Sequence, residues 1–398
     1  MGTPGQQSPA RHDLQRNGKP ICVSNATASF LFNAIVGPMP VVSSRSAQMN
    51  TRENVYTVVD HYENDRVVTR SHPGELAKEC PPYFIELLRE LHRAAPAMGV
   101  HFLVTGDPSA IPEDRKGPEV VAILYHDERS QVPPYARQVH AVFRGGTKNL
   151  QWPESPFRGG FRLAFLKSLR LSRDMMLRVQ RRLRLGARLT VPGNVFSIPI
   201  GTKSYLPDTP SVEMGQRSID LSLFAAIGLP EGFSRPLFAY RPKILLRQEA
   251  YKALAGLRES APHLKISMGC SDDSTYGAPL KPEDYEETLR QTKVSPCPGG
   301  NFMETHRHFE SARAGCVIIS EVPPQEWYYE QHPFVLIDQW RDLPKVTQAL
   351  FADPAAMKEK SRQARQWWDE KISPAAVARY ILHTLRSGGE RGLPPWKV

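Results

Sequence analysis

Apolar residues in this chain gather into short β-branched runs that alternate with longer stretches of helical spacing. Residues 55–59, 100–105, 120–125 and 139–143 read as strands, and 84–91 repeats its apolar positions as a helix does. This alternation predicts an α/β layer built on a mainly parallel sheet. The pattern resumes later. Residues 292–297 and 316–320 read as strands, Ile266-Ser267-Met268 is strand-like, and Leu245, Ala250, Leu254 and Leu257 form the apolar side of a helix. Beyond Leu343 the spacing is helical through Leu350, 357–371 and 375–385. No internal repeat is visible.

One segment concentrates polar chemistry. Pro298-Gly299-Gly300-Asn301 is a glycine turn, and the residues from Phe302 to Glu310 follow it with helical spacing. Asn301 suits an N-cap, Glu304 can reach back to the cap amide, and together they predict a helix from about Phe302. Phe309, Ala312 and Cys316 fall on the side that packs against a sheet, whereas Arg307, Glu310 and Ala314 fall on another. Gly315 supplies a left-handed stop. Strand, glycine turn, helix and strand in this order predict a right-handed parallel crossover. Amides at such a turn favour an anion by roughly 0.3–1 kcal/mol for an exposed charge, and Arg307 adds a second positive contact. Glu310, on the same helix face as Arg307, can accept hydrogen bonds from hydroxyls. An anion beside a diol describes a nucleotide, and a nucleotide-sugar in particular. The competing reading is a surface ion pair between Arg307 and Glu310.

The wider pattern resembles the donor-binding half of exostosin-like glycosyltransferases of the family 47 type. Cys297-Pro298-Gly299-Gly300, Thr305-His306-Arg307-His308-Phe309-Glu310 and Gly315-Cys316-Val317-Ile318-Ile319 match its Cys-Pro-x-Gly turn, its Thr-x-Arg-x-x-Glu and its Gly-Cys followed by an apolar strand. The departure comes after that strand begins, where Ile318-Ile319-Ser320 stands in place of a usual Pro-Val. Asn194 to Gly201 resembles the family's crossing between halves, and Arg217 to Gly228 the first strand of the second half. The resemblance implies a GT-B fold, with two Rossmann-like α/β/α domains and an interdomain cleft. It implies a nucleotide diphosphate sugar held by Gly299, Gly300, Asn301, Thr305, Arg307 and Glu310, the glutamate at the ribose and the arginine near the diphosphate. Arg247 is the further phosphate residue, with Arg235 and Arg241 as competitors.

Length and composition fit an enzyme of two domains. The 398 residues exceed one ordinary core, and 40% hydrophobic with 23% charged residues is usual for a globular chain. The expected division is a disordered tail over 1–19, an acceptor domain over 20–198 and a donor domain over 199–373, with 374–398 crossing back to the first domain. Five widely spaced cysteines without CxxC pairs suit reduced thiols and a cytoplasmic setting. Between Ile21 and Ser44 the chain is uncharged, but polar residues and Pro38 and Pro40 interrupt it, so a buried strand and helix are expected rather than a membrane span.

Ligands of parallel sheets bind beyond the strands' carboxyl ends. The run 120–125 leads into His126-Asp127-Glu128, so Asp127 or Glu128 is the expected general base for deprotonating an acceptor hydroxyl; Arg144, after the next strand, is a weaker candidate for binding. No metal is expected: His306 and His308 lie on different helix faces, and Asp272-Asp273 lacks the spacing of a metal motif. No cofactor is required beyond the nucleotide-sugar donor, and the acceptor is a glycan, a lipid-linked sugar or a polymer. The net charge of +10 is crowded around Arg178, Arg181, Arg182, Arg184 and Arg188, preceded by Arg170 and Arg173. This basic face suits peripheral contact with an anionic membrane or a lipid-diphosphate acceptor, a solvated helix face, or nucleic acid, for which no zinc-finger or RNA-recognition signature is present. The alternatives to a transferase are a noncatalytic nucleotide-sugar-binding homologue and a basic nucleic-acid-binding protein.

Overall fold

A computed structural model describes residues 53–60, 66–106, 111–125, 133–146, 191–203, 212–227, 242–271, 280–300 and 303–388, with scattered helical residues between 161 and 180. The chain divides into two units, 1–48 and 49–398, and every described residue belongs to the second. The readings for 1–19 and for Ile21 to Ser44 therefore lie outside the described residues.

The first layer contains β1 (Val55–Asp60), β2 (Arg66–Arg70), α1 (Pro82–Ala94), β3 (His101–Thr105), β4 (Gly117–Leu124), β5 (Val139–Gly145) and β6 (Val195–Ile198). Its sheet runs β2-β1-β3-β4-β5-β6. β2 is antiparallel to β1, and every other neighbouring pair is parallel. Val120 to Leu124 is wholly buried, as a near-continuous apolar run must be when both faces of its sheet are covered. Leu103, Ala122 and Val142 lie side by side in register across the three central strands. β2 has no counterpart in the sequence reading because this edge strand has charged ends and little apolar alternation.

The second layer contains β7 (Ile219–Ala226), α2 (Pro242–Ser260), β8 (Ile266–Ser271), α3 (Pro282–Arg290), β9 (Thr292–Pro296), α4 (His306–Arg313), β10 (Val317–Ser320) and β11 (Val335–Leu336). Three helices follow: α5 (Leu343–Ala352), α6 (Pro354–Trp367) and, after a π-helical turn at Trp368–Ile372, α7 (Pro374–Ser387). The sheet order is β11-β10-β9-β7-β8, all parallel. From β7 the chain goes to one side for β8 and returns to the other side for β9. The carboxyl ends of β7 and β9 therefore flank a topological switch point, where parallel sheets open a crevice. Leu246, Ala250, Leu254 and Leu257 of α2 share one core with Leu221, Leu223 and Val294. Phe309 and Ala312 of α4 lie in another with Cys297 and Ile318. The two helices that follow the switch-point strands thus cover opposite faces.

This second core continues into the first layer. α7 packs against α1, with Ile381, Leu382 and Leu385 in the same cluster as Leu87, Leu88 and Leu91. Trp327 donates its indole N–H to the Ser197 carbonyl at 2.8 Å and stacks on Tyr380 with ring centres 4.1 Å apart. The protein is an α/β molecule of two parallel, Rossmann-like layers, and a shared aromatic core ties them together.

Candidate functional site

The site is built around α4, and its two ends differ. At the C-terminal end Gly315 takes φ 70°, the Cys316 N–H bonds to Ser311 O at 2.8 Å, and the Gly315 N–H bonds to Ala312 O at 2.9 Å. This is the Schellman pattern. The guanidinium of Arg217, almost fully buried, donates to the carbonyls of Ala314 (2.7 Å), Gly315 (2.9 Å), Thr292 (2.7 Å) and Val212 (3.0 Å). Arg365 bonds to Arg313 O, and the Ser361 hydroxyl to Gly315 O. Burial lowers the Arg217 pKa, opposed by the neighbouring Cys316. The Cys316 thiol is itself pushed up to about 12 by burial, so it is an inert packing group.

The N-terminal end departs from the sequence expectation. The helix begins at His306 with Thr305 as N-cap, in extended conformation (φ −144°, ψ 145°) and without a side-chain capping bond. It does not begin near Phe302, and Glu304 forms no capping box. Its carboxyl is recruited elsewhere: Oε1 accepts the Ile200 N–H at 3.1 Å and Oε2 the Tyr328 hydroxyl at 2.8 Å. These long-range bonds outcompete a local cap. The turn is tight enough that a Cβ on Gly300 would overlap the Glu304 carbonyl oxygen, and Met303 is forced to φ 62°. The Gly299 N–H is held at 2.9 Å by Oε2 of buried Glu321, whose other oxygen accepts the Trp340 indole N–H. Gly299 thus shapes the turn, and its amide is already engaged, contrary to its expected role towards an anion. Asn301 lies outside the described residues.

Beyond this turn the interlayer segment after β6 runs along α4. Ile200 N–H reaches Glu304, the Gly201 carbonyl receives the His306 Nδ1 hydrogen bond at 2.8 Å, and the Lys203 N–H reaches Glu310 Oε1 at 3.1 Å. Glu310 Oε2 accepts the hydroxyl of Tyr285, from α3, at 3.1 Å. Tyr285 also lies close enough to the Arg307 guanidinium for each to act on the other's pKa. Tyr285 and Glu310 are thus hydrogen-bonded, and Arg307 acts on both by its charge, near a helix end that carries no side-chain cap. Burial raises the Glu310 pKa, while the Lys203 amide, Arg307 and Tyr285 pull it back. Burial acts to lower Arg307, but Tyr285, Cys297 and Glu310 outweigh it and hold the guanidinium above its usual value.

The histidines are structural. His308 is fully buried, its Nε2 2.8 Å from Ser320 Oγ and 3.3 Å from Cys297 O, and burial drives its pKa down to about 3. It stays neutral across the physiological range. The Cys297 thiol, pushed up to about 11 by burial, sits among Ser295, Ser311 and the Arg307 carbonyl.

Of the remaining expected residues, Arg247 lies in α2 with Nη1 3.4 Å from Ala226 O, at the end of β7 and so at the other lip of the switch point. Arg144 is buried at the end of β5, where its charge acts to lower the Glu304 pKa. Asp127, Glu128, Arg170, Arg173, Arg178, Arg181, Arg182, Arg184, Arg188, Arg235, Arg241, Asp272 and Asp273 lie outside the described residues. Sequence reasoning did not single out Tyr285, Lys203 or Glu321. Tyr285 had a signal: with Leu289 it forms the i,i+4 apolar pair of an otherwise acidic helix.

No family model matches the sequence, and no curated protein matches it. Among solved structures the chain is similar to the GtfA/B complex (12% identity, 80% of this chain and 61% of that one, TM-score 0.40). It is also similar to a protein assigned as a UDP-N-acetylglucosamine 2-epimerase from Listeria monocytogenes (10%, 85% and 97%, 0.40). A third is WaaG, a glycosyltransferase involved in lipopolysaccharide biosynthesis (11%, 75% and 94%, 0.34). The chain spans about three fifths of the GtfA/B chain it matches. At such identities and TM-scores, what these proteins bind or transfer remains a property of theirs.

Proposed function

We propose that this protein is a GT-B-type, exostosin-like glycosyltransferase that moves a sugar from a nucleotide diphosphate donor to a hydroxyl of a glycan, lipid-linked or polymer acceptor. One observation carries the reading: Glu310 of α4, hydrogen-bonded to Tyr285 of α3, lies within the electrostatic reach of Arg307, and the N-terminal end of α4 follows β9 at the switch point. A helix amide end and a guanidinium suit a diphosphate, and the carboxylate beside them suits a ribose diol. Arg247, on the opposite lip, is the second diphosphate residue. The same positive groups offset the leaving diphosphate's charge, so the transfer has no need of a metal. Asp127 or Glu128, following β4, is the base that takes the acceptor proton in an inverting transfer.

A thermal-shift screen of uridine, guanosine and adenosine diphosphates and their sugars tests the reading. A tight ligand raises the melting temperature of the wild type by mass action and fails to raise that of Glu310→Ala or Arg307→Ala. Equal shifts in all three proteins, or none in the wild type, contradict the site. A shift without release of nucleoside diphosphate from the bound sugar, with or without acceptors, identifies a noncatalytic binding protein instead.

A further inference from the structure

The basic stretch between β5 and β6 in the sequence is not absorbed by the donor site. Between 158 and 188 the chain carries ten lysines and arginines against one acid, Asp174, so this stretch accounts for +9 of a net charge of +10. The described helical residues between 161 and 180 add a second, independent property. Phe161 is 80% exposed, Phe165 52%, Met175 44%, Met176 58% and Val179 43%, and these five are most of the large apolar side chains exposed among the described residues. On a helical wheel of 3.6 residues per turn, these five sequence positions span about 100°. Leu171, in the same helical stretch, is buried.

An apolar stripe on a strongly basic segment is costly to leave in water and fits one environment particularly well. Phenylalanine and methionine enter the boundary between headgroups and acyl chains, and arginines meet lipid phosphates. A nucleic acid would engage the arginines but offers little to Met175, Met176 and Val179. We propose that the exposed apolar residues between Phe161 and Val179, set in this basic stretch of sequence, dock the protein onto an anionic phospholipid bilayer. This contact holds the protein at the membrane surface without spanning it, and it stands independently of the transferase reading.

Vesicle cosedimentation tests this with the full chain, using phosphatidylcholine alone and phosphatidylcholine mixed with phosphatidylglycerol. The wild type partitions onto the anionic vesicles at least about tenfold more strongly than onto the neutral ones, and less as salt rises. The combined variant Phe161→Ser, Phe165→Ser, Met175→Ser and Met176→Ser weakens anionic binding by about tenfold or more, with the melting temperature showing that it remains folded. Wild-type binding that is absent, indifferent to lipid charge or equal to the variant's overturns the proposal. So does retention of a DNA or RNA oligonucleotide by both proteins when neither binds vesicles. Insertion is read separately by Met176→Cys carrying an environment-sensitive dye, with Cys22 and Cys270 changed to Ser. A blue shift on anionic vesicles is expected, and an unchanged spectrum contradicts burial of the stripe in lipid.

Discussion

α4 is only eight residues long, yet its two ends obey different rules. At the C-terminal end the carbonyls from Glu310 to Gly315 all have partners, from the Schellman amides, Arg217, Arg365 and Ser361. At the N-terminal end Thr305 provides no side-chain cap, and the nearest carboxyl, Glu304, is drawn away to Ile200 and Tyr328. What remains near the amide end is Arg307 with Glu310. A protein built only for stability gains from capping both ends. The asymmetry separates Arg217, which closes the carbonyl end, from Arg307, which the proposed donor site uses, although both are attached to the same short helix.

The largest expected effect comes from breaking the closed end. Arg217→Ala removes a donor from four carbonyls, two of which keep another, and lowers stability by about 3–5 kcal/mol, read from urea unfolding. A loss under 1 kcal/mol would mean that water replaces the guanidinium. Gly300→Ala forces a Cβ into the Glu304 carbonyl and costs about 2–3 kcal/mol, together with most nucleotide binding.

Glu304 sharpens the comparison through pH. Burial raises its pKa to about 8, with the Ile200 amide, Tyr328 and Arg144 opposing. The folded state therefore keeps a proton that the unfolded chain releases at ordinary carboxyl pH. Its contribution to stability is full below about pH 4.5, falls as pH rises, and is gone above about pH 8. Glu304→Gln mimics the protonated form, so between pH 6 and 7.5 the variant loses about 2 kcal/mol less stability than the wild type. Parallel stability profiles for the two proteins would remove Glu304 from the account. The smallest effect belongs to Tyr285→Phe, which deletes one hydroxyl between Arg307 and Glu310. It costs about 1 kcal/mol in nucleotide binding, with melting nearly unchanged.

Much of the fold was legible because it rests on local, redundant signals. The apolar runs at Val120 to Leu124 and Val317 to Ile319 read as buried strands from composition alone, and Gly315 marked a helix stop that the structure shows at φ 70°. Contacts between distant residues were not legible. Asn301 and Glu304 spell a capping box locally, yet Glu304 bonds to a residue 104 positions away. Glu321 gives no hint in sequence that it fixes Gly299, 22 positions earlier. Arg307 and Glu310 could be read because one helical turn brings them together. Tyr285 offered only its apolar pairing with Leu289, because only the fold carries α3 to their side.

In the proposed site, the N-terminal end of α4 binds a nucleoside diphosphate through Arg307 and Glu310. Calorimetric titration of the tightest nucleoside diphosphate into the wild type, Arg307→Ala, Glu310→Ala and Glu304→Gln tests it most directly. Affinity about 10- to 100-fold weaker is expected in each alanine variant, and within about threefold of the wild type for Glu304→Gln. Equal affinity in the wild type and both alanine variants would contradict it.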